Sequence, residues 1–119
     1  GAKSGAALND MFDMCDIGVN SLGMYRKGFS ITSELKTREY AARGLPFICS
    51  VDDPALNYTD EPMWFRVDND ESIPNMDEII TFAQKMRADI EVKDRLRNYA
   101  RKYLTWEAQY QQVFKKFKV

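Results

Sequence analysis

The stretch Pro46-Phe47-Ile48-Cys49-Ser50-Val51 constrains this chain more than any other. Phe47, Ile48 and Cys49 are apolar at successive rather than alternate positions, so a strand built from them must be covered on both faces. Such a strand belongs in the middle of a parallel sheet flanked by helices. The residues before it agree. Gly44 suits the left-handed position that ends a helix, and Pro46 cannot extend one. Ser33 is placed to cap the start of that helix, so residues 33–50 read as helix, stop and buried strand.

The same alternation runs through the rest of the chain. Leu8, Met11, Phe12 and Cys15 share one face of a first helix over residues 6–15, and Ile17-Gly18-Val19 follows as a strand. A polar, glycine-punctuated loop then leads to Ser33. Beyond the second strand, DDPALNYTDEP is too broken for a long crossover helix, and MWFRV is a third strand. Asp77 and Glu78 mark the first turn of a helix whose inner stripe is Ile79, Phe82, Ala83 and Met86. Val92, Leu96, Tyr99, Ala100 and Tyr103 repeat that pattern. Thr105 can cap a last helix with Trp106, Tyr110, Val113 and Phe117 on one side.

Three short strands interleaved with helices predict an α/β fold, a three-layer sandwich around a short parallel sheet. With so few strands one sheet edge is expected to stay unpaired. Residues 1–119 are therefore expected to form a single domain that is either a piece of a larger α/β domain or completes its sheet by dimerising. Gly1 is set aside as a candidate expression scar.

Composition narrows the chemistry. Seventeen Lys and Arg against eighteen Asp and Glu give a formal charge of −1, which offers no global reason to expect nucleic acid. The absence of histidine removes the Ser-His-Asp and Cys-His nucleophile arrangements and nearly every catalytic zinc site. Cys15 and Cys49 lack metal-ligand or redox spacing and are expected to be buried thiols in a reducing compartment. No metal and no cofactor are expected. No apolar run reaches the length of a membrane span and no signal sequence opens the chain, so the expected location is cytoplasmic. Asn57-Tyr58-Thr59 matches a glycosylation acceptor and is read as chance.

In open parallel sheets ligands bind beyond the carboxyl ends of the strands, which here means the loop 20–32 and the helix start at Ser33, Glu34, Leu35 and Lys36. Lys36 has the wrong charge for a first helical turn. An anion held by the free amides at that helix end would account for it, while spacing alone favours a solvated lysine. Glu39, one turn on, can accept hydrogen bonds from vicinal sugar hydroxyls or form an i, i+3 ion pair with Lys36.

The string DIGVNSLGMYRKGFSITSELKTREYAARGLPFI resembles the C-terminal domain of group-one, retaining, nucleotide-sugar-dependent glycosyltransferases of the GT-B fold. The resemblance rests on a strand, a loop with Ser21, Leu22 and Gly23, then Leu35-Lys36, Arg38-Glu39-Tyr40, Ala42, Gly44 and Pro46. It continues through FRVDNDESIPNMDEII to the tryptophan-containing YLTWEAQYQQVFK. It implies a Rossmann-like half domain, part of a C-terminal nucleotide-sugar-binding domain. It also implies a nucleoside diphosphate sugar as donor substrate, and transfer of a hexosyl group to a glycan or lipid-linked acceptor. By the same resemblance Glu39 takes the ribose-binding role, and Ser33, Glu34, Leu35 and Lys36 face the diphosphate through backbone amides. Ile31 stands where the family often has a further glutamate touching the transferred sugar. The family's glycine-containing loop and N-terminal acceptor domain are expected to lie outside this segment, with Arg26 and Lys27 the only basic residues in its first loop.

Other readings compete. Asp52-Asp53 after an apolar strand invites a receiver-domain reading, but no suitably placed lysine strand follows, and a solvated turn beside Pro54 is the expected state of both aspartates. Trp106, Tyr110, Phe114 and Phe117 beside Lys115, Lys116 and Lys118 allow peripheral contact with an anionic inner membrane face. A core-facing stripe with a basic rim is the favoured expectation for that helix. A non-catalytic interaction module, self-associating as a homodimer through its sheet edge, is the alternative function.

Overall fold

β2 (Phe47–Cys49) lies between β1 (Gly18–Val19) and β3 (Trp64–Arg66), parallel to both, in a computed structural model that describes residues 1–117. The helices are α1 (Gly5–Asp13), α2 (Leu35–Arg43), α3 (Met76–Ala88), α4 (Val92–Tyr103) and α5 (Trp106–Phe117), with single 3-10 turns at Met24–Lys27 and Pro54–Leu56. The expected α/β architecture with a short parallel sheet is therefore present.

Strand alternation sorts the core. Phe47 pairs in register with Trp64, and their rings stack 5.9 Å apart on one face of the sheet. Tyr40 from α2 and Tyr99 from α4 close over that face, 5.7 Å from Phe47 and 5.6 Å from Trp64. Ile48 and Phe65 point the other way, where Phe82 of α3 lies 5.6 Å from Phe65. Helices thus cover both faces, which is why β2 is buried at every position. Fully burying each such side chain stabilises the fold by about 1.5–3 kcal/mol.

Two glycines are needed for close approach. Gly18 faces the Tyr40 ring, and a Cβ there would lie 2.8 Å from Tyr40 Cε1. Gly44 ends α2 in the left-handed region at φ 73°, and its Cβ would lie 2.5 Å from the Lys93 carbonyl oxygen. α2 and α4 consequently pack tightly and antiparallel, with the C-terminal end of α2 against the start of α4.

Two expectations are corrected. Ser33 does not cap α2: Glu34 occupies the N-cap position through its extended backbone, and the helix starts at Leu35. Cys15 is exposed, because α1 ends at Asp13 and leaves it past the helix, whereas Cys49 is buried as expected. α1 itself has no buried residue.

The largest departure is α5, whose aromatic stripe faces outward. Trp106 is 76% exposed and Phe117 77%, with Tyr110 and Phe114 also exposed. Its inward side is polar: Gln109 Nε2 donates to the Tyr103 carbonyl at 2.7 Å, and Tyr58 Oη donates to Gln112 Oε1 at 2.9 Å. The Tyr58 and Tyr103 rings, stacked at 4.6 Å, already fill the space below. The glutamine side of α5 thus faces the body of the protein and the aromatic side faces out. Thr105 does cap α5, accepting from the Ala108 N–H at 3.2 Å. Lys118 lies outside the described residues. Among the described residues no helix is long and apolar enough to cross a membrane.

Candidate functional site

The segment before α2 is tied to the carboxyl end of β2. Thr32 N–H donates to the Asp52 carbonyl at 2.8 Å and Asp52 N–H to the Ser30 carbonyl at 2.9 Å, so residues 30–32 run beside the strand end as a parallel bridge. The chain then turns into α2 at Glu34. This carries the first turn of the helix to the place where an open parallel sheet holds its ligands.

Four side chains lock α2 there, and sequence reasoning missed their roles. Asn20, buried at the end of β1, donates from Nδ2 to Thr37 Oγ1 at 2.7 Å. Its Oδ1 accepts the Ser21 N–H at 3.0 Å. Tyr40 Oη donates to the Val19 carbonyl at 2.8 Å. Burial pushes the Tyr40 hydroxyl above its ordinary value, so it remains a donor at neutral pH. On the β2 side, Asp53 is only 3% exposed, which overturns the expectation of a solvated turn. Its Oδ2 accepts from Glu34 N–H at 3.2 Å and Arg38 Nη1 at 3.3 Å, and Oδ1 caps the Pro54–Leu56 turn through Ala55 N–H at 2.9 Å. Arg38 also donates to the Glu34 carbonyl at 2.9 Å. Asp52 conforms to expectation: it is exposed and pairs with Arg66.

Ser33, Glu34, Leu35 and Lys36 are brought together at this helix end. Ser33 is exposed; the Glu34 side chain accepts from Thr32 Oγ1 at 3.3 Å; Leu35 is 84% exposed. The Glu34 N–H is occupied by Asp53, whereas the amides of Leu35 and Lys36 have no protein acceptor among the described residues. Lys36 is exposed and forms no ion pair among the described residues. The i, i+3 pairing of Lys36 with Glu39 does not form. Glu39 instead accepts from Arg43 Nε at 3.3 Å, and Arg43 is held by Asn9 and the Phe12 ring on α1. Glu39 remains 47% exposed, and an exposed i, i+4 pair is worth only about 0.3–0.5 kcal/mol, so its carboxylate can turn toward a ligand at little cost.

Chemically, this end offers amides unpaired among the described residues, the exposed Lys36, the Glu34 carboxylate beside them and the Glu39 carboxylate a turn away. Asp53 brings negative charge to the helix start and Arg38 pairs with it, while the Glu34 carboxylate, with no cationic partner among the described residues, stands at the same helix end as Lys36. Among the described residues no three His, Cys, Asp or Glu side chains converge as a metal site. No family model, curated protein or solved structure matches this chain.

Proposed function

We propose that the chain is the nucleotide-sugar donor-binding segment of a glycosyltransferase that moves a hexosyl group onto a glycan or lipid-linked acceptor. One observation carries the reading: the first turn of α2 stands at the carboxyl end of a parallel sheet, where the Leu35 and Lys36 amides and the Lys36 side chain have no partner among the described residues. Amide dipoles and a cation fixed at that point favour a diphosphate, and they favour it more as the leaving group gains negative charge in the transition state. Glu39, one turn on, accepts hydrogen bonds from the two hydroxyls of the adjoining ribose after releasing Arg43.

The resemblance carried by Leu35-Lys36, Arg38-Glu39-Tyr40, Ala42, Gly44 and Pro46 supports the same reading. In it, transfer requires an acceptor-binding domain, and this segment supplies binding and orientation rather than the whole reaction. The rival reading, a module pairing through its sheet edge, has less to work with. The edge strands β1 and β3 span two and three residues, so a second copy would add few ladder bonds.

Saturation-transfer NMR with nucleoside diphosphates tests the proposal. Contact is expected at α2, with Glu39→Ala weakening the ribose signals and Lys36→Ala lowering affinity roughly threefold to tenfold. An absence of transfer at millimolar ligand, or transfer unchanged in both variants, overturns it.

A further inference from the structure

A second basic feature lies in the groove that α2 forms with α4. A cavity of about 380 Å³ opens there, lined by Arg38, Ala42, Arg97, Ala100, Arg101 and Leu104 together with Thr105. Three arginines line it and, among the described residues, no Asp or Glu does. Arg38 is balanced by Asp53, but Arg97 and Arg101 have no carboxylate within 4.0 Å among the described residues. They sit four apart on α4, a spacing at which like charges repel. Asn98 takes one Arg101 hydrogen bond at 3.3 Å and carries no charge to offset it.

Ala42 and Ala100 explain why there is room. Both are small and both line the groove, Ala42 from α2 and Ala100 from α4, where longer side chains would take up its space. Ala42, Ala100 and Leu104 make its walls apolar, and an anion held against apolar walls by guanidinium groups is screened less than one in open water. The planar guanidinium forks of Arg97 and Arg101 together offer more donors than the two oxygens of a single carboxylate can accept, and they suit the several oxygens of a phosphate.

We propose that the α2–α4 groove binds the phosphate or diphosphate group of a ligand through Arg97 and Arg101, with Arg38, paired to Asp53, at its edge. Arg97 and Arg101 lie on α4 rather than in the first turn of α2, and the proposal does not depend on the donor-binding reading. Its ligand is a phosphate ester, either free in solution or presented as a lipid headgroup.

The test uses the full chain. Inorganic pyrophosphate is titrated while the arginine Nε–Hε and backbone amide signals are followed by NMR, and sedimentation is measured with phosphatidylcholine vesicles with and without phosphatidic acid. Pyrophosphate shifts at Arg97 and Arg101 support a free phosphate ester; co-sedimentation only with phosphatidic acid supports a lipid headgroup. In either arm Arg101→Gln is expected to weaken binding about tenfold, Arg97→Gln similarly, and Lys85→Gln to leave it unchanged. Arg101 is exposed, so its variant is expected to keep the wild-type circular dichroism. Binding that survives both arginine substitutions, or no response in either arm at millimolar ligand, overturns the proposal. Shifts confined to the Leu35 and Lys36 amides overturn it too while leaving the donor-binding reading intact.

Discussion

Asp52 and Asp53 are adjacent and identical in chemistry, and the structure predicts that removing one has several times the effect of removing the other. Asp53→Ala deletes the cap on the Pro54–Leu56 turn, worth about 1 kcal/mol. It also leaves the Glu34 N–H without its charged acceptor, worth roughly 1.5–3 kcal/mol. The Arg38 pairing adds little, because Arg38 is partly exposed and can hydrate once released. The expected loss is therefore about 3 kcal/mol. With a urea slope of about 1.5 kcal/mol/M for a chain of this size, the midpoint should fall by about 2 M. Asp52→Ala removes an exposed pair with Arg66 and should cost no more than about 0.5–1 kcal/mol. Urea unfolding followed by far-UV circular dichroism measures both. If Asp53→Ala stays within about 0.5 kcal/mol of wild type, or Asp52→Ala loses as much, the assignment of Asp53 as the anchor of α2 is wrong.

Gly44→Ala should lower stability by about 2–4 kcal/mol, since it forces an L side chain into the left-handed region and against the Lys93 carbonyl; thermal unfolding reads the loss. Burial pushes the Tyr99 hydroxyl from 10.0 up to about 12, and the hydroxyl donates to the Ala55 carbonyl. The folded state thus prefers the protonated form, so stability is full below pH 10 and falls as pH rises from about 10 to 12, by an order of 2–3 kcal/mol. Urea midpoints at graded alkaline pH should show this slope, and Tyr99→Phe should flatten it. Leu96→Ala, in the fully buried core, should cost about 2–5 kcal/mol, whereas Phe114→Ala on the outer face of α5 should change stability by less than about 0.5 kcal/mol. Parallel chemical melts compare the two.

Where apolar spacing reports burial directly, the sequence was enough. The unbroken run at Phe47-Ile48-Cys49, the stripe Ile79, Phe82 and Met86, and the glycine stop at Gly44 all fold as their patterns require. Polar tethers were not legible, because Asn20, Thr37 and Asp53 owe their burial to partners 15 to 19 residues away, which no local period encodes. The same limit applies to Lys36 and Glu39: helical spacing allowed them to pair, but Arg43, fixed from α1, competes successfully for the carboxylate. α5 misled for a different reason. Its period was correct, yet period gives the existence of an apolar face and not the side it takes, and here Gln109 and Gln112 face inward instead.

The outward turn of α5 also divides the two tryptophans by environment. Trp64 is packed between Phe47 and Tyr99, while Trp106 projects into solvent at the head of its helix. Fluorescence from this molecule is therefore a two-channel signal without any label: acrylamide should quench the red-edge emission of Trp106 first and leave the blue component of Trp64. Loss of the blue component tracks unfolding of the interior, and shielding of the red component tracks anything that comes to rest on that helix, so the two events can be followed in one cuvette.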